Sequence, residues 1–241
     1  MHRFFITPEG IQDDRVHLSG AIAHQIARVL RLKTGDPCVV LDNTGSEYAV
    51  ILDEVNPESC SARIFEKRAA EEPAVRLLML LCLTQREKFE WMLQKCTEVG
   101  AAGFLPVISQ RSLIQGEAEL RNKYTRWERI LREAAEQSGR GVIPALLPAL
   151  RLENAVRAVG QDYPLRLIPW EGEKQANLKS LLKGWKNQPV AVLIGPEGGF
   201  AEDEVGTAMA AGFKPVTLGK RILRMETAAV VSAALILHEL E

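Results

Sequence analysis

The chain of 241 residues is 46% hydrophobic and 25% charged with a net charge of −1, a balance that excludes disordered, collagen-like and disulfide-rich classes. Its longest apolar runs, 77–83 and 228–237 (the latter broken by Ser232), are far shorter than the roughly 20 residues of a bilayer span. Phe4-Phe5-Ile6 before Pro8 is too short for a signal-peptide core, so a cytoplasmic location is expected.

In chain order, strand signals come first, at residues 3–6, 16–18, 38–41, 47–52 and 60–65, with Asp42-Asn43-Thr44-Gly45 as a hairpin turn. One helix interrupts them, with Ser19 as N-cap and Ile22, Ile26, Val29 and Leu30 along its inner face. Residues 1–70 thus read as a small β-barrel with one helix. A short stretch of small, acidic and proline residues, 69–74, marks a boundary. Residues 74–241 read as a second, α/β domain.

There, strands at 75–83, 104–108, 165–168, 190–194 and 215–218 alternate with helices at 86–99, 120–138, 178–185 and 202–211. Phe89, Met92, Leu93 and Cys96 share one face of the first of these helices, which Gly100 ends. A last helix runs from about 227 to 240. Such alternation predicts a mainly parallel sheet with helices on both faces. Cys38, Cys60, Cys82 and Cys96 form no CxxC pair and His2, His17, His24 and His238 no cluster, so reduced core thiols and no metal are expected.

Parallel sheets bind ligands at the carboxyl ends of their strands, which directs attention to the loops after 168, 194 and 218. These read Pro169-Trp170-Glu171-Gly172, Gly195-Pro196-Glu197-Gly198-Gly199-Phe200 and Gly219-Lys220-Arg221-Ile222-Leu223-Arg224-Met225-Glu226-Thr227-Ala228. Neither GxGxxG nor GxxxxGK[ST] occurs, which disfavours a dinucleotide fold and a P-loop ATPase. Three glycines within 195–200 suit close approach to a flat ligand, and equally a tight strand-to-helix turn. A branched side chain at Gly198 is expected to harm ligand binding.

The two C-terminal motifs together resemble the paired signature of the SPOUT methyltransferases. Within these, the chain is similar to the small-subunit rRNA methyltransferase E family, which methylates uridine N3 in bacterial 16S ribosomal RNA. The resemblance extends to His24, Val29-Leu30-Arg31, Gly35-Asp36, 95–100, Arg111-Ser112, Arg126-Trp127 and Gln137-Ser138-Gly139-Arg140. It implies an N-terminal PUA-like RNA-binding barrel, a C-terminal SPOUT domain with a trefoil knot, a homodimer, and 16S rRNA of the small subunit as partner. The implied target is the uridine conventionally numbered 1498. The implied cofactor is S-adenosyl-L-methionine, with Ile168, Pro169, Gly195, Pro196, Glu197, Gly198, Gly199, Leu218, Gly219, Ile222, Leu223, Arg224, Thr227 and Ala228 lining its pocket. Ala201 stands where the family usually has serine, which removes a helix cap worth about 1 kcal/mol.

Methylation at N3 requires removal of a proton and leaves charge on O2 and O4. Arg224 is the candidate cation, with a surface salt bridge to Glu226 as its plainer role. Glu197 and Glu226 are both candidate proton acceptors, or helix-start carboxylates. Candidate RNA contacts are His24, Arg28 and Arg31 on the first helix, Arg126, Arg129 and Arg132 at i, i+3, i+6 on the long helix, and Arg111, Gln137 and Arg140 beside it. Each stripe could equally be a solvated face. A different RNA acceptor, or non-catalytic RNA binding in ribosome assembly, are the alternative functions. The last helix is apolar nearly all round, which suits burial within one subunit or a twofold contact between two.

Overall fold

The computed structural model describes residues 1–116, 120–160 and 162–240. They fall into two compact units, one of 1–72 with 135–143, the other of 73–134 with 144–240.

The first unit contains β1 (Arg3–Phe5), β2 (Ile11–Gln12), β3 (Arg15–Ser19), α1 (Gly20–His24), β4 (Pro37–Leu41), β5 (Ser46–Val55) and β6 (Ser59–Ala69). They form one six-stranded sheet in the order β1, β4, β5, β6, β3, β2, antiparallel except for the β1–β4 pair. Its core gathers Phe4, Val16, Leu18, Ile26, Val40, Val50 and Leu52 from alternating strand positions and the helix. Asp42 sets the β4–β5 hairpin. Burial opposes its charge, but donors from Thr44, Ser46 and Tyr48 outweigh that and hold the carboxyl below its ordinary range.

The helix departs from its sequence pattern. Ser19 occupies the N-cap position without making a side-chain cap bond. After His24 the turns widen into a π-helical stretch, Gln25–Val29, and the Leu30 N–H reaches the Gln25 carbonyl at 2.9 Å. The wider turn shifts the phase of the side chains. Ile22, Ile26 and Leu30 stay against the core, whereas Val29, expected inward, is 66% exposed.

The second unit contains β7 (Leu77–Cys82), α2 (Arg86–Val99), β8 (Gly103–Ile108), most of α3 (Arg121–Ser138), β9 (Ala145–Leu146), β10 (Leu150–Arg151), α4 (Leu152–Ala158), β11 (Leu165–Pro169), α5 (Leu178–Leu182), β12 (Val190–Ile194), α6 (Glu202–Ala210), β13 (Lys214–Val216) and α7 (Met225–Leu240). The sheet is wholly parallel, in the order β10, β8, β7, β12, β11, β13, with β9 on β8. Every residue of β7, β8 and β12 is buried, as expected of central strands covered on both faces.

Gly100 ends α2 at φ +119°, and a Cβ there would stand 2.6 Å from Pro73 Cγ; both conformation and space require glycine. Sequence periodicity places α7 from 227, but the helix starts at Met225, so Glu226 lies in its first turn. Five residues of the predicted 178–185 helix form α5, capped by Asn177, whose side chain accepts from the Ser180 N–H at 2.9 Å. No sequence pattern signals the two-residue strands β9 and β10 or the seven-residue α4.

Candidate active site

The chain returns from β11 to β12, which lies between β7 and β11, and then runs on to β13 at the edge. The three consecutive loops after these strands therefore converge at their carboxyl ends. They enclose a cavity of about 360 Å³, within the range of small-molecule sites.

The first wall is the loop after β12. The Gly199 N–H donates to the Pro196 carbonyl at 2.9 Å, and Gly199 itself has φ +67°. Gly195 lies under the ring of buried Phe200: a Cβ there would be 2.8 Å from Phe200 Cε2. Glu197 turns away from the glycine backbone to accept from Lys88 Nζ at 2.5 Å and Thr84 Oγ1 at 3.1 Å. The Lys88 ammonium foremost, with Thr84 assisting, outweighs the opposing desolvation and lowers the Glu197 pKa. Ala201 has no acceptor in its side chain, and its N–H instead donates to Glu204 at 2.9 Å. Buried Glu204 also accepts from the Gln110 N–H at 2.8 Å, so the start of α6 retains half of a capping box.

The second wall is the loop after β13. Thr217 Oγ1 donates to the Gly219 carbonyl at 3.0 Å and accepts from its N–H at 3.2 Å. Gly219 has φ +121°, with no atom within 4 Å of the position a Cβ would take. Its backbone borders open space. Met225 is buried, Leu223 half-buried, Ile222 82% exposed and Arg224 exposed. The third wall is the loop after β11, where Trp170 donates its N–H to the Val216 carbonyl at 3.1 Å and Gly172 lies against the indole. Glu173 ties this loop down by accepting from the N–H groups of Ala176 and Gln175, which lower its pKa in that order.

Of the residues singled out in the sequence, Pro169, Gly195, Pro196, Glu197, Gly199, Leu218, Gly219, Ile222, Leu223, Arg224, Glu226 and Ala228 line this cavity. Ile168 is buried in β11, and Gly198 and Thr227 are exposed outside the lining. Gly198 has no positive φ, and a Cβ would meet only Arg111, at 3.4 Å. The pressure expected on Gly198 falls instead on Gly195 and Gly199. Lys88, Trp170, Glu171, Lys174, Ile194, Phe200, Thr217, Lys220, Arg221 and Met225 also line the cavity. Their positions follow from the meeting of separate loops, and only their proximity to the strand ends signals them. Among the described residues no ion pair links Arg224 to Glu226.

The candidate RNA residues lie outside this lining. On α3, Arg126 forms a two-pronged pair with Glu90, at 2.6 and 2.9 Å, and Arg129 pairs with Glu133 at 3.3 Å. Arg132 is exposed on the same helix. Arg111 donates to the Gly198 carbonyl at 2.6 Å. In the first unit His24, Arg28, Arg31 and Gln137 are exposed, and Arg28 and Lys33 border a shallow depression with Ala27, Leu32 and Val55. Arg140 is different: buried, it pairs with Glu72 at 2.6 Å, and Glu72 also accepts from the N–H groups of Gly141 and Val142. Its guanidinium is committed inside the unit. Among the described residues no helix is long and apolar enough to cross a membrane.

Two family patterns match the chain, an RNA methyltransferase domain over residues 70–237 and an RNA methyltransferase PUA domain over residues 18–65. The ribosomal RNA small subunit methyltransferase E of Synechocystis is 35% identical over 97% of this chain and 76% of its own length. The protein of that name in Bacillus subtilis is 29% identical over 100% of this chain and 98% of its own. The crystal structure of ribosomal RNA small subunit methyltransferase E from Neisseria gonorrhoeae, bound to S-adenosyl methionine, superposes with a TM-score of 0.84 at 27% identity, covering 100% of this chain and 98% of that one. With a pattern match over more than half its length and relatives aligned nearly end to end, the chain belongs to the ribosomal RNA small subunit methyltransferase E family.

Proposed function

We propose that this protein transfers the methyl group of S-adenosylmethionine to N3 of a uridine in 16S rRNA of the small ribosomal subunit, acting in the cytoplasm as a homodimer. The observation that carries the reading is the cavity at the ends of β11, β12 and β13, bordered by glycine backbone and by Arg224, which has no ion-pair partner among the described residues.

The residues present fit this cofactor. Ile194, Val216, Leu218, Leu223 and Met225 supply apolar walls for a flat base. The open backbone at Gly219 and the turn at Gly199 let a flat ligand come close, and with both N–H groups already engaged by Thr217 and Pro196 it is the remaining carbonyl lone pairs that can accept from its edges. The bound sulfonium supplies an already activated methyl group, so alignment and handling of the uridine proton fall to the protein. Arg224 places a permanent positive charge at the cavity wall, where it stabilises the negative charge that develops on O2 and O4. Of the two candidate proton acceptors, Glu197 is disfavoured, because Lys88 and Thr84 occupy one of its oxygens and stabilise its charged form. Glu226 also lines the cavity, and no hydrogen bond or ion pair engages its carboxylate among the described residues. We assign it the proton.

Phosphate contacts are assigned to Arg129 and Arg132 on α3, and to His24, Arg28 and Arg31 on the first unit. Arg126 joins them by exchanging Glu90 for phosphate. The homodimer rests on α7. Ala229, Ser232, Ala233, Ile236 and Leu237 face the chain's own interior, whereas Ala234 and Leu235 remain exposed, Leu235 at 42%. That second apolar face suits a twofold contact.

The test is transfer of radiolabelled methyl from S-adenosylmethionine to naked 16S rRNA and to small subunits from a strain lacking the enzyme. Label in the RNA fraction supports the reading, and preference for subunits identifies the substrate form. Tight cofactor binding without transfer to either RNA would leave a binding protein and overturn it.

A further inference from the structure

The loop that follows β8 is braced against itself. The Ser109 N–H donates to Ser112 Oγ at 3.0 Å, and the two hydroxyls are 2.8 Å apart. Gln115 Nε2 donates to the Ser109 carbonyl at 3.0 Å and the Ser112 carbonyl at 2.7 Å, and both serines are buried. From this base two neighbours reach the segment that begins at Gly195. Gln110 holds Glu204 through its N–H at 2.8 Å and Asp203 through its side-chain amide at 2.7 Å. Arg111 Nη1 donates to the Gly198 carbonyl at 2.6 Å.

We propose that Arg111 is a positioning residue of the methyl-donor pocket, acting through the Gly198 carbonyl, and not a phosphate contact. This rests on the reading of the cavity as the S-adenosylmethionine site. Glycine-rich backbone has many accessible conformations, so its bound shape has to be imposed from outside. Gly195 and Gly199 line the cavity on either side of Gly198, which itself lies outside the lining. A bond to the Gly198 carbonyl therefore fixes the lining residues without occupying ligand space. The guanidinium is suited to this: it is always charged, and its bond to a carbonyl is charge-assisted. Lys88 and Thr84 in turn hold Glu197, so the loop is gripped at adjacent residues by two different segments.

The experiment compares wild type, Arg111→Ala and Arg111→Lys as full-length protein, with melting curves verifying the fold. Three quantities are read: the calorimetric Kd for S-adenosylmethionine, hydrogen exchange of the 198–200 amides without ligand, and the salt dependence of 16S rRNA binding. Arg111→Ala is expected to raise the Kd about tenfold, as loss of one charge-assisted bond implies, and to speed exchange at 198–200. Its salt slope should stay at the wild-type value, and Arg111→Lys should recover part of the affinity. Unchanged Kd and exchange, with a slope lower by about 0.7 to 0.9, would overturn the proposal and make Arg111 a phosphate contact. If wild type itself fails to bind S-adenosylmethionine, the reading of the cavity fails, while exchange still decides whether Arg111 holds the loop.

Discussion

Replacing Gly195 by alanine adds a single methyl group at a crowded point of the cavity lining. That Cβ would stand 2.8 Å from Phe200 Cε2, 3.0 Å from Cδ2 and 3.2 Å from Cζ. Carbon atoms settle at about 3.5 to 4.0 Å, so the ring has to withdraw by roughly 0.7 Å or the loop has to open. Phe200 is only 8% exposed, and overpacking of this kind costs about 1 to 3 kcal/mol. A ring that retreats toward the cavity takes up ligand space, and a loop that opens displaces Gly199; both weaken cofactor binding. The expected result is a lower Tm and a Kd for S-adenosylmethionine raised at least about tenfold, or about 1.4 kcal/mol. Calorimetry on Gly195→Ala, Phe200→Leu and the double variant tests the cause. If the collision is responsible, the smaller leucine relieves it and the double variant is better than the sum of the singles by about 1 kcal/mol. Wild-type Tm and Kd in Gly195→Ala, or strict additivity in the cycle, would show that the Phe200 ring does not collide with a side chain at 195.

Alanine at Arg126, Arg129 and Arg132 together should flatten the salt dependence of rRNA binding by about 0.7 to 0.9 per lost phosphate contact, with cofactor affinity unchanged; an unchanged slope would return the stripe to a solvated helix face. Because the folded Glu197 carboxyl lies below its ordinary value of 4.5, its contribution to stability is complete above that pH and is lost only as pH falls through the lowered folded value. Lys88→Met should bring the acid limb of the melting curve up toward the ordinary carboxylate range, and coincident acid limbs would contradict the pairing. Burial holds the Cys38 and Cys96 thiols up to about 12, and raises Cys82 as well, so iodoacetamide at pH 8 should label them only after denaturation. Sedimentation of Leu235→Glu should yield folded monomers with impaired transfer; a fully active wild-type monomer would exclude an obligate dimer.

The centre of the sheet was legible because β7 and β12 are unbroken apolar runs, and the cavity was legible because glycine loops begin directly after residues 194 and 218. Short elements were not: two residues at 145–146 or 150–151 carry no period to detect. Nor was the membership of 135–143 in the first unit, since α3 is one unbroken helix whose last turn places Ala135 beside Phe5, Val39 and Leu41. Arg140 illustrates the same limit. Its charge is visible in the sequence, but Glu72, 68 residues away, engages it in the fold. Lys88 and Trp170 reach the cavity from the start of α2 and the end of β11, a convergence that exists only once the sheet is assembled. Gly198 shows the converse, a glycine of the motif whose backbone neither requires glycine nor borders the cavity.

The most direct test of the account is nucleoside mass spectrometry, with site mapping, of 16S rRNA from small subunits treated with S-adenosylmethionine and either wild type or Arg224→Ala. Wild type should give 3-methyluridine at a single position, and Arg224→Ala should slow transfer at least about a hundredfold at saturating cofactor, since removing one stabilising group from a developing anion costs about that much. Methyl on a ribose hydroxyl or a purine, or wild-type rates from Arg224→Ala, would contradict it.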